Sequence, residues 1–288
     1  MAPNLLSHSG TTDGHPLASS YERLMALTAR NPYGRFADGR PKVPAEVLEQ
    51  IRPLGAEEIW ETLWMAGYQN QFDGNWKILH PERKLVGRAV TAQFMPLRPD
   101  VHEVLESDAR AAGLPENANQ RVIDILQEGD VIVVDLFGKR EGGTFVGDIL
   151  ATAIQAATGA GMVVDGAVRD LAGISDLNMP TYVRAVDPTP LHQVMLTGIN
   201  VPIRVGRTTV MPGDIVFGDQ EGVFFVAPEL AGKVLERARE ARLRDEWTKA
   251  RLHTGAYRSS DVYPAPKTPE LKADFEAYTS AHLHVRAR

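Results

Sequence analysis

Apolar and polar positions fall into three textures along the chain. From about Tyr21 to Pro81 apolar residues recur at helical spacing, broken by the clusters Asn31-Pro32-Tyr33-Gly34 and Asp38-Gly39-Arg40-Pro41. Pro44 suits the first position of a helix in PAEVLEQI. This zone predicts helices lying on something else. From Leu85 to Ala227 the texture changes to short β-branched runs, among them GRAVTAQF, DVIVVDL, GMVVDG, TYVRAV and DIVFGDQEGVFFVA, with turn residues between them. One strong helix interrupts them: in DILATAIQAATG, residues Ile149, Leu150, Ala153, Ile154 and Ala157 share a helical face, and Gly159 is suited to end it. Strand 131–136, this helix and strand 162–165 form a βαβ unit, which implies parallel strands. Beyond Pro228 the chain is helical to about Arg251, then Pro-containing, with a last short helix near Lys272 to Thr279.

The expected organisation is therefore an arm over residues 1–20, a helical N-terminal extension over 21–84, an α/β core over 85–228 and a C-terminal helical extension over 229–288. A sequence of 288 residues with 43% hydrophobic positions can bury a full core without a disulfide. Zero cysteines exclude thiolate catalysis, Cys-zinc sites and Fe–S clusters. A net charge of −6 without a long basic run speaks against a broad nucleic-acid surface. The first twenty residues have neither a basic nor an apolar signal region, and nowhere do 18 apolar residues run together, so the expectation is a cytoplasmic protein with no membrane partner.

Open α/β sheets place ligands beyond the carboxyl ends of their strands. Two strands end in Asp135 and Asp165, Gly147-Asp148 opens the helix, and Arg169-Asp170 follows the next strand. The expectation is that these four aspartates and Arg169 gather at one helix N-terminus, where free amides around Asp148 to Leu150 can hold a carboxylate. Oxygen ligands without cysteine or paired histidines favour Mg²⁺ or Mn²⁺. Taken singly, Asp148 reads equally as an N-cap and Arg169-Asp170 as a surface ion pair. Trp60, Trp64, Tyr68, Phe72 and Trp76, four residues apart, read as core packing, or the last of them as the lining of a pocket for a larger or aromatic-derived substrate. Lys139 and Arg140 can reach a second substrate carboxylate or belong to a solvated turn, and His192 is an exposed loop histidine or a proton shuttle.

The stretch Asp148, twenty residues, Arg169-Asp170 resembles the D-x20-R-D signature of RraA-like class II pyruvate aldolases, which include 4-hydroxy-4-methyl-2-oxoglutarate aldolases. GRAVTAQ, VIVVD, GMVVDGAVRD and NVPIRVGRTTVMPGDIVFGDQEGVFFVAPE carry the resemblance from about Leu85 to Pro228. It implies a swivelling β/β/α fold, assembled as a trimer or dimer of trimers with the site at a subunit interface. It implies Asp170 as metal ligand, Arg169 on the substrate's oxo-acid end, Asp148 acting through water, and the amides of Gly147, Asp148, Ile149 and Leu150 on the pyruvyl carboxylate. A neighbouring subunit's helical carboxylate is matched to Glu246. The implied reaction is retro-aldol cleavage of a 4-hydroxy-2-oxo acid through a pyruvate enolate, with oxaloacetate decarboxylation as a side activity. The alternatives are a dehydratase or hydrolase of a sugar-derived acid on the same metal site, and a non-catalytic binding protein like the RNase-regulating members. No lysine lies within the signature, which disfavours a Schiff-base aldolase.

Overall fold

A computed structural model describes residues 15–285. The chain divides into two compact units, Met1–Ala231 and Gly232–Arg288. The first unit begins with α1 (Tyr21–Leu27), the short pair β1 (Gly34–Arg35) and β2 (Pro41–Lys42), α2 (Ala45–Ile51), α3 (Ala56–Met65), and strands β3 (Phe72–Asp73) and β4 (Lys77–Leu79). It continues through β5 (Leu85–Pro96), α4 (Pro99–Ala111), α5 (Ala118–Ile123), β6 (Asp130–Lys139), α6 (Asp148–Thr158), β7 (Gly161–Val168), α7 (Leu171–Asp176) and β8 (Thr181–Val186). Strands β9 (Val194–Ile199), β10 (Ile203–Val205), β11 (Thr208–Val210), β12 (Ile215–Gly218) and β13 (Val223–Val226) complete it.

The central sheet runs β3-β13-β12-β5-β6-β7-β8-β4, with β9 on the far half of β5. Strands β5 to β8 are parallel and their flanks antiparallel. This curled mixed sheet with flanking helices is the swivelling β/β/α arrangement. Its β-branched strands are buried on both faces, as parallel strands covered on both sides must be. Residues of one parity, Ile132, Val134, Met162 and Val164, pack with Ala151 and Ile154 of α6. Those of the other parity, Val131, Val133 and Val163, pack with Val205 and Val210 of the β10–β11 hairpin.

Helix α6 buries Ala151, Ile154 and Thr158 and closes at Gly159, whose φ of 61° is the left-handed C-cap its lack of a Cβ permits. Helices α4 and α5 appear where strand texture alone was expected. The sequence PDVHEVLESDARA of α4 buries only Ala109, so it offers almost no apolar stripe to read. The zone before Leu85 is more than helical: β3 and β4 close the two edges of the sheet. Its turn cluster at Asp38 to Pro41 is buried, with Arg40 between Asp38 (3.2 Å) and Asp130 (3.2 Å). Removing one partner from such a buried pair costs about 3–5 kcal/mol. Of the expected arm over residues 1–20, residues 1–14 lie outside the described residues, while Leu17 and Ser19 hydrogen-bond to Ile199.

The aromatic series divides. Phe72 packs on Phe224 and Trp76 edge-on to Tyr182, but Trp60 and Trp64 are 45% and 49% exposed and stack on each other. The inward side of α3 belongs to Ile59 and Leu63 instead. The second unit comprises most of α8 (Ala231–His253), with α9 (Ser259–Val262) and α10 (Pro269–Val285). Trp247 is buried against Val262 and Leu271, and its indole N–H donates to Asp274 at 2.9 Å. Among the described residues no helix is long and apolar enough to cross a membrane.

Asp214, in the turn before β12, is buried and accepts the Met211 N–H at 2.8 Å. Burial outweighs that bond and pushes its carboxyl up to about 7. The folded state thus prefers the proton, and the resulting stability, complete below the unfolded carboxylate range, is lost as pH rises through about 7. Asp214→Asn keeps an acceptor for Met211 and removes the titration. Thermal melts are expected to show a flatter pH dependence than wild type between about pH 5 and 8, with a higher Tm at the alkaline end; unchanged slopes would contradict this.

Candidate active site

The candidate site lies beyond the carboxyl ends of β6 and β7, where α6 begins. Residues 145 and 146 run beside the end of β7: Phe145 N–H donates to Ala167 O at 2.9 Å, and Arg169 N–H to Val146 O at 3.0 Å. The buried Asn119 amide donates to Phe145 O at 2.8 Å, tying α5 to the same segment. These bonds set Gly147 against the Arg169-Asp170 turn. A Cβ at Gly147 would run into Asp170 Oδ2 and come within 3.0 Å of Arg169 Nε, so the close approach requires glycine.

Gly147 rather than Asp148 is the N-cap of α6 and provides no side-chain cap. The Asp148 carboxylate accepts the next N–H, that of Ile149, at 2.8 Å and lies against α7, where a Cβ on Gly173 would meet it at 2.6 Å. The amides of Asp148 and Leu150 have no acceptor among the described residues. They are the orphan donors a helix start offers to an anion. Asp170 adopts φ 52° and ψ 47°, a left-handed conformation that aspartate tolerates better than most residues, at the N-cap of α7. Its carboxylate is half-exposed, 3.5 Å from Arg169 Nε.

Asp148, Arg169, Asp170, Gly147, Ile149 and Leu150 thus line one small pocket of about 70 Å³. Ile149, read from sequence as part of the buried face, lines this pocket and is 80% exposed. A wider cleft of about 530 Å³ adjoins it and shares Asn119, Leu150 and Arg169.

Asp135 and Asp165 do not join this group. Strand alternation sends them to the opposite sheet face with Val133 and Val163. There Asp165 accepts from Arg184 Nε at 2.7 Å and from Gly206 N–H at 2.9 Å, Arg184 also pairs with Asp73, and Trp76 covers its guanidinium at 3.4 Å. Burial raises the Asp135 carboxyl, partly offset by the Phe137 N–H it accepts. Glu246 lies on α8 in the second unit, where Tyr278 Oη donates to it at 3.5 Å. Arg140 donates to Arg184 O at 3.3 Å and Lys139 packs at Gly143, so neither lines the pocket or the cleft. His192 does line the cleft, as does His102, which sequence reasoning passed over because α4 itself was not recognised.

Among the described residues no three His, Asp or Glu side chains converge as a ready-made metal cage. An all-oxygen donor set of one or two carboxylates nevertheless fits Mg²⁺, which keeps most of its waters. The half-exposed Asp170 carboxylate beside Asp148 supplies such donors.

These features define a swivelling β/β/α protein with a small pocket at a helix start that carries Asp148, Arg169 and Asp170. The chain belongs to the RraA-like family (Aldolase/RraA), whose model matches residues 56–225. A Halalkalibacterium halodurans protein named "Putative 4-hydroxy-4-methyl-2-oxoglutarate aldolase" is 31% identical over 160 residues, 54% of this chain and 75% of that protein. Protein DlpA of Legionella pneumophila is 26% identical over 73% of this chain, which spans only 32% of DlpA's length. The crystal structure of Streptomyces coelicolor RraAS2, described as an unusual member of the RNase ES inhibitor RraA protein family, has a TM-score of 0.64 at 25% identity, covering 73% of this chain and 100% of that one.

Gly147→Ala is expected to displace Asp170 and Arg169 while leaving the fold intact by circular dichroism. Under the lyase reading proposed below, mispositioning on this scale costs on the order of 10²-fold in turnover. Wild-type turnover in a folded G147A protein would contradict the close-approach account.

Proposed function

We propose that this chain is a divalent-metal-dependent lyase that cleaves a 4-hydroxy-2-oxo acid by retro-aldol reaction. The observation that carries the reading is the meeting of Asp148, Arg169 and Asp170 at the uncapped start of α6. The aldolase name of the H. halodurans relative supports it. Asp170 would hold Mg²⁺ or Mn²⁺, which supplies Lewis-acid polarisation of the 2-oxo group. The Asp148 and Leu150 amides would bind the substrate carboxylate, helped by the positive end of the helix dipole.

Asp148, through a water, would take the 4-hydroxyl proton. The C3–C4 bond then breaks, its electron pair passing to C3 and the 2-oxo oxygen as a pyruvate enolate while C4 leaves as a carbonyl product. Arg169 would donate to that oxygen as charge develops. The proton returned to C3 completes pyruvate. Oxaloacetate decarboxylation gives the same enolate and belongs to the same proposal. The 80% exposed Ile149 lining the pocket supports covering by a second copy of the chain in a trimer or dimer of trimers, with Glu246 as the carboxylate such a copy would bring. The likeness to RraAS2 favours a second reading, a non-catalytic binding protein, which the assays below separate from the first.

A coupled pyruvate assay over a panel of 4-hydroxy-2-oxo acids with Mg²⁺ and Mn²⁺ is expected to show release of pyruvate with a carbonyl partner. Water loss without carbon–carbon cleavage would instead indicate a dehydratase, and no turnover a binding protein. EDTA is expected to inactivate reversibly, and Asp170→Ala to abolish metal-dependent turnover in a folded protein. Arg169→Lys should lose roughly 10²-fold in kcat/KM, since a point charge does not replace a planar donor fork. Full activity of the metal-free enzyme would refute the assignment.

A further inference from the structure

We propose that the wide cleft beside the small pocket receives the remote half of the substrate and is built for a neutral, hydroxylated chain rather than a second carboxylate. The inference rests on the lyase reading, in which the carboxylate and 2-oxo end occupies the small pocket. Arg169 and Leu150 line both spaces, so a chain extending from the 2-oxo group has a continuous path from about 70 Å³ into about 530 Å³.

The chemistry of the walls sets the preference. Imidazole and amide groups of His102, Asn117, His192 and Gln193 alternate around the cleft with apolar side chains such as Leu97, Leu150 and Val194, and each of the four can both donate and accept hydrogen bonds. Among the described residues Arg169 is the only lysine or arginine lining it, and that guanidinium is committed to the oxo-acid end. The remaining charges are the carboxylates Glu106 and Glu116. Glu106 is neutralised by the Arg121 fork at 2.9 and 2.6 Å, which lowers its carboxyl below the usual range. A second substrate carboxylate would therefore leave water for a wall on which this chain supplies no free cation, with Glu116 to repel it. Hydroxyl groups meet partners of matching polarity.

Two details make this wall a built surface. Gln193 is held in a left-handed conformation, φ 59°, with its carbonyl anchored by the Leu97 N–H at 3.0 Å. His102 Nδ1 is buried with no hydrogen bond, its nearest carboxylate oxygen on Glu106 being 3.9 Å away. A buried polar atom without a partner is the exception in folded proteins.

Binding of unreactive analogues tests this separately from turnover. Calorimetry on the full chain with Mg²⁺ compares 5,6-dihydroxy-2-oxohexanoate, 2-oxohexanoate and the dicarboxylate 2-oxoglutarate, none of which has the 4-hydroxyl needed for cleavage. The dihydroxy acid is expected to bind at least about tenfold more tightly than either competitor, the yield of one or two good hydrogen bonds. His102→Ala and His192→Ala should each erode that preference while leaving the Kd of oxalate, which fills only the oxo-acid pocket, unchanged. Equal or tighter binding of 2-oxoglutarate or 2-oxohexanoate, no binding of any of the three, or variants that keep the preference would overturn the proposal. The binding preference intact, with no 4-hydroxy-2-oxo acid cleaved, would overturn the lyase reading and leave the subsite standing.

Discussion

The approach of Gly147 to the Arg169-Asp170 turn is the constraint on which the site depends. A Cβ at Gly147 would overlap Asp170 Oδ2 and crowd Arg169, so any side chain there displaces the groups that form the site. The strand-like bonds of Phe145 and Arg169 hold that approach in place, and the parallel pairing of β6 with β7 holds the bonds. A second glycine, Gly173, performs the same service for Asp148 against α7. Two carboxylates, one guanidinium and two unpaired amides thereby share a pocket, although they come from segments twenty residues apart in the chain.

The period-two alternation of the central strands partitions the charges of the first unit. At the start of α6, Asp148, Arg169 and Asp170 are partly exposed and open to a ligand. On the sheet face away from α6, Asp165, Asp73 and Arg184 are paired under Trp76, and the β10–β11 hairpin is fastened through Gly206 to Asp165. A buried, satisfied network of this kind fixes architecture. An uncapped helix start beside a left-handed aspartate instead keeps unspent hydrogen-bonding capacity, the usual mark of a site that binds something.

Much of this was legible in the sequence for local reasons. The apolar pattern and terminal glycine of DILATAIQAATG define α6, and β-branched runs define β6 and β7, because burial on both faces demands such residues. Asp148, Arg169 and Asp170 were found through motif and strand-end position together. What strand ends alone could not show was facing: Asp135 and Asp165 also end apolar runs, but the pleat turns them away. Helix α4 was invisible because it carries almost no apolar stripe, and His102 with it. The buried Arg40 looked like turn polarity because its partner Asp130 lies 90 residues away. Trp60 and Trp64 have helical spacing, yet the stripe that packs inward is Ile59 and Leu63.

The central claim is that Asp170 and the start of α6 form one site in which a divalent cation and an oxo-acid anion support each other's binding. Titrating oxalate into the full-length protein with and without Mn²⁺ tests this most directly, with Asp170→Ala as the comparison. The account predicts that Mn²⁺ tightens oxalate binding in the wild type and that the coupling vanishes in the folded variant. Oxalate binding that is indifferent to Mn²⁺, or coupling that survives the loss of Asp170, would contradict it.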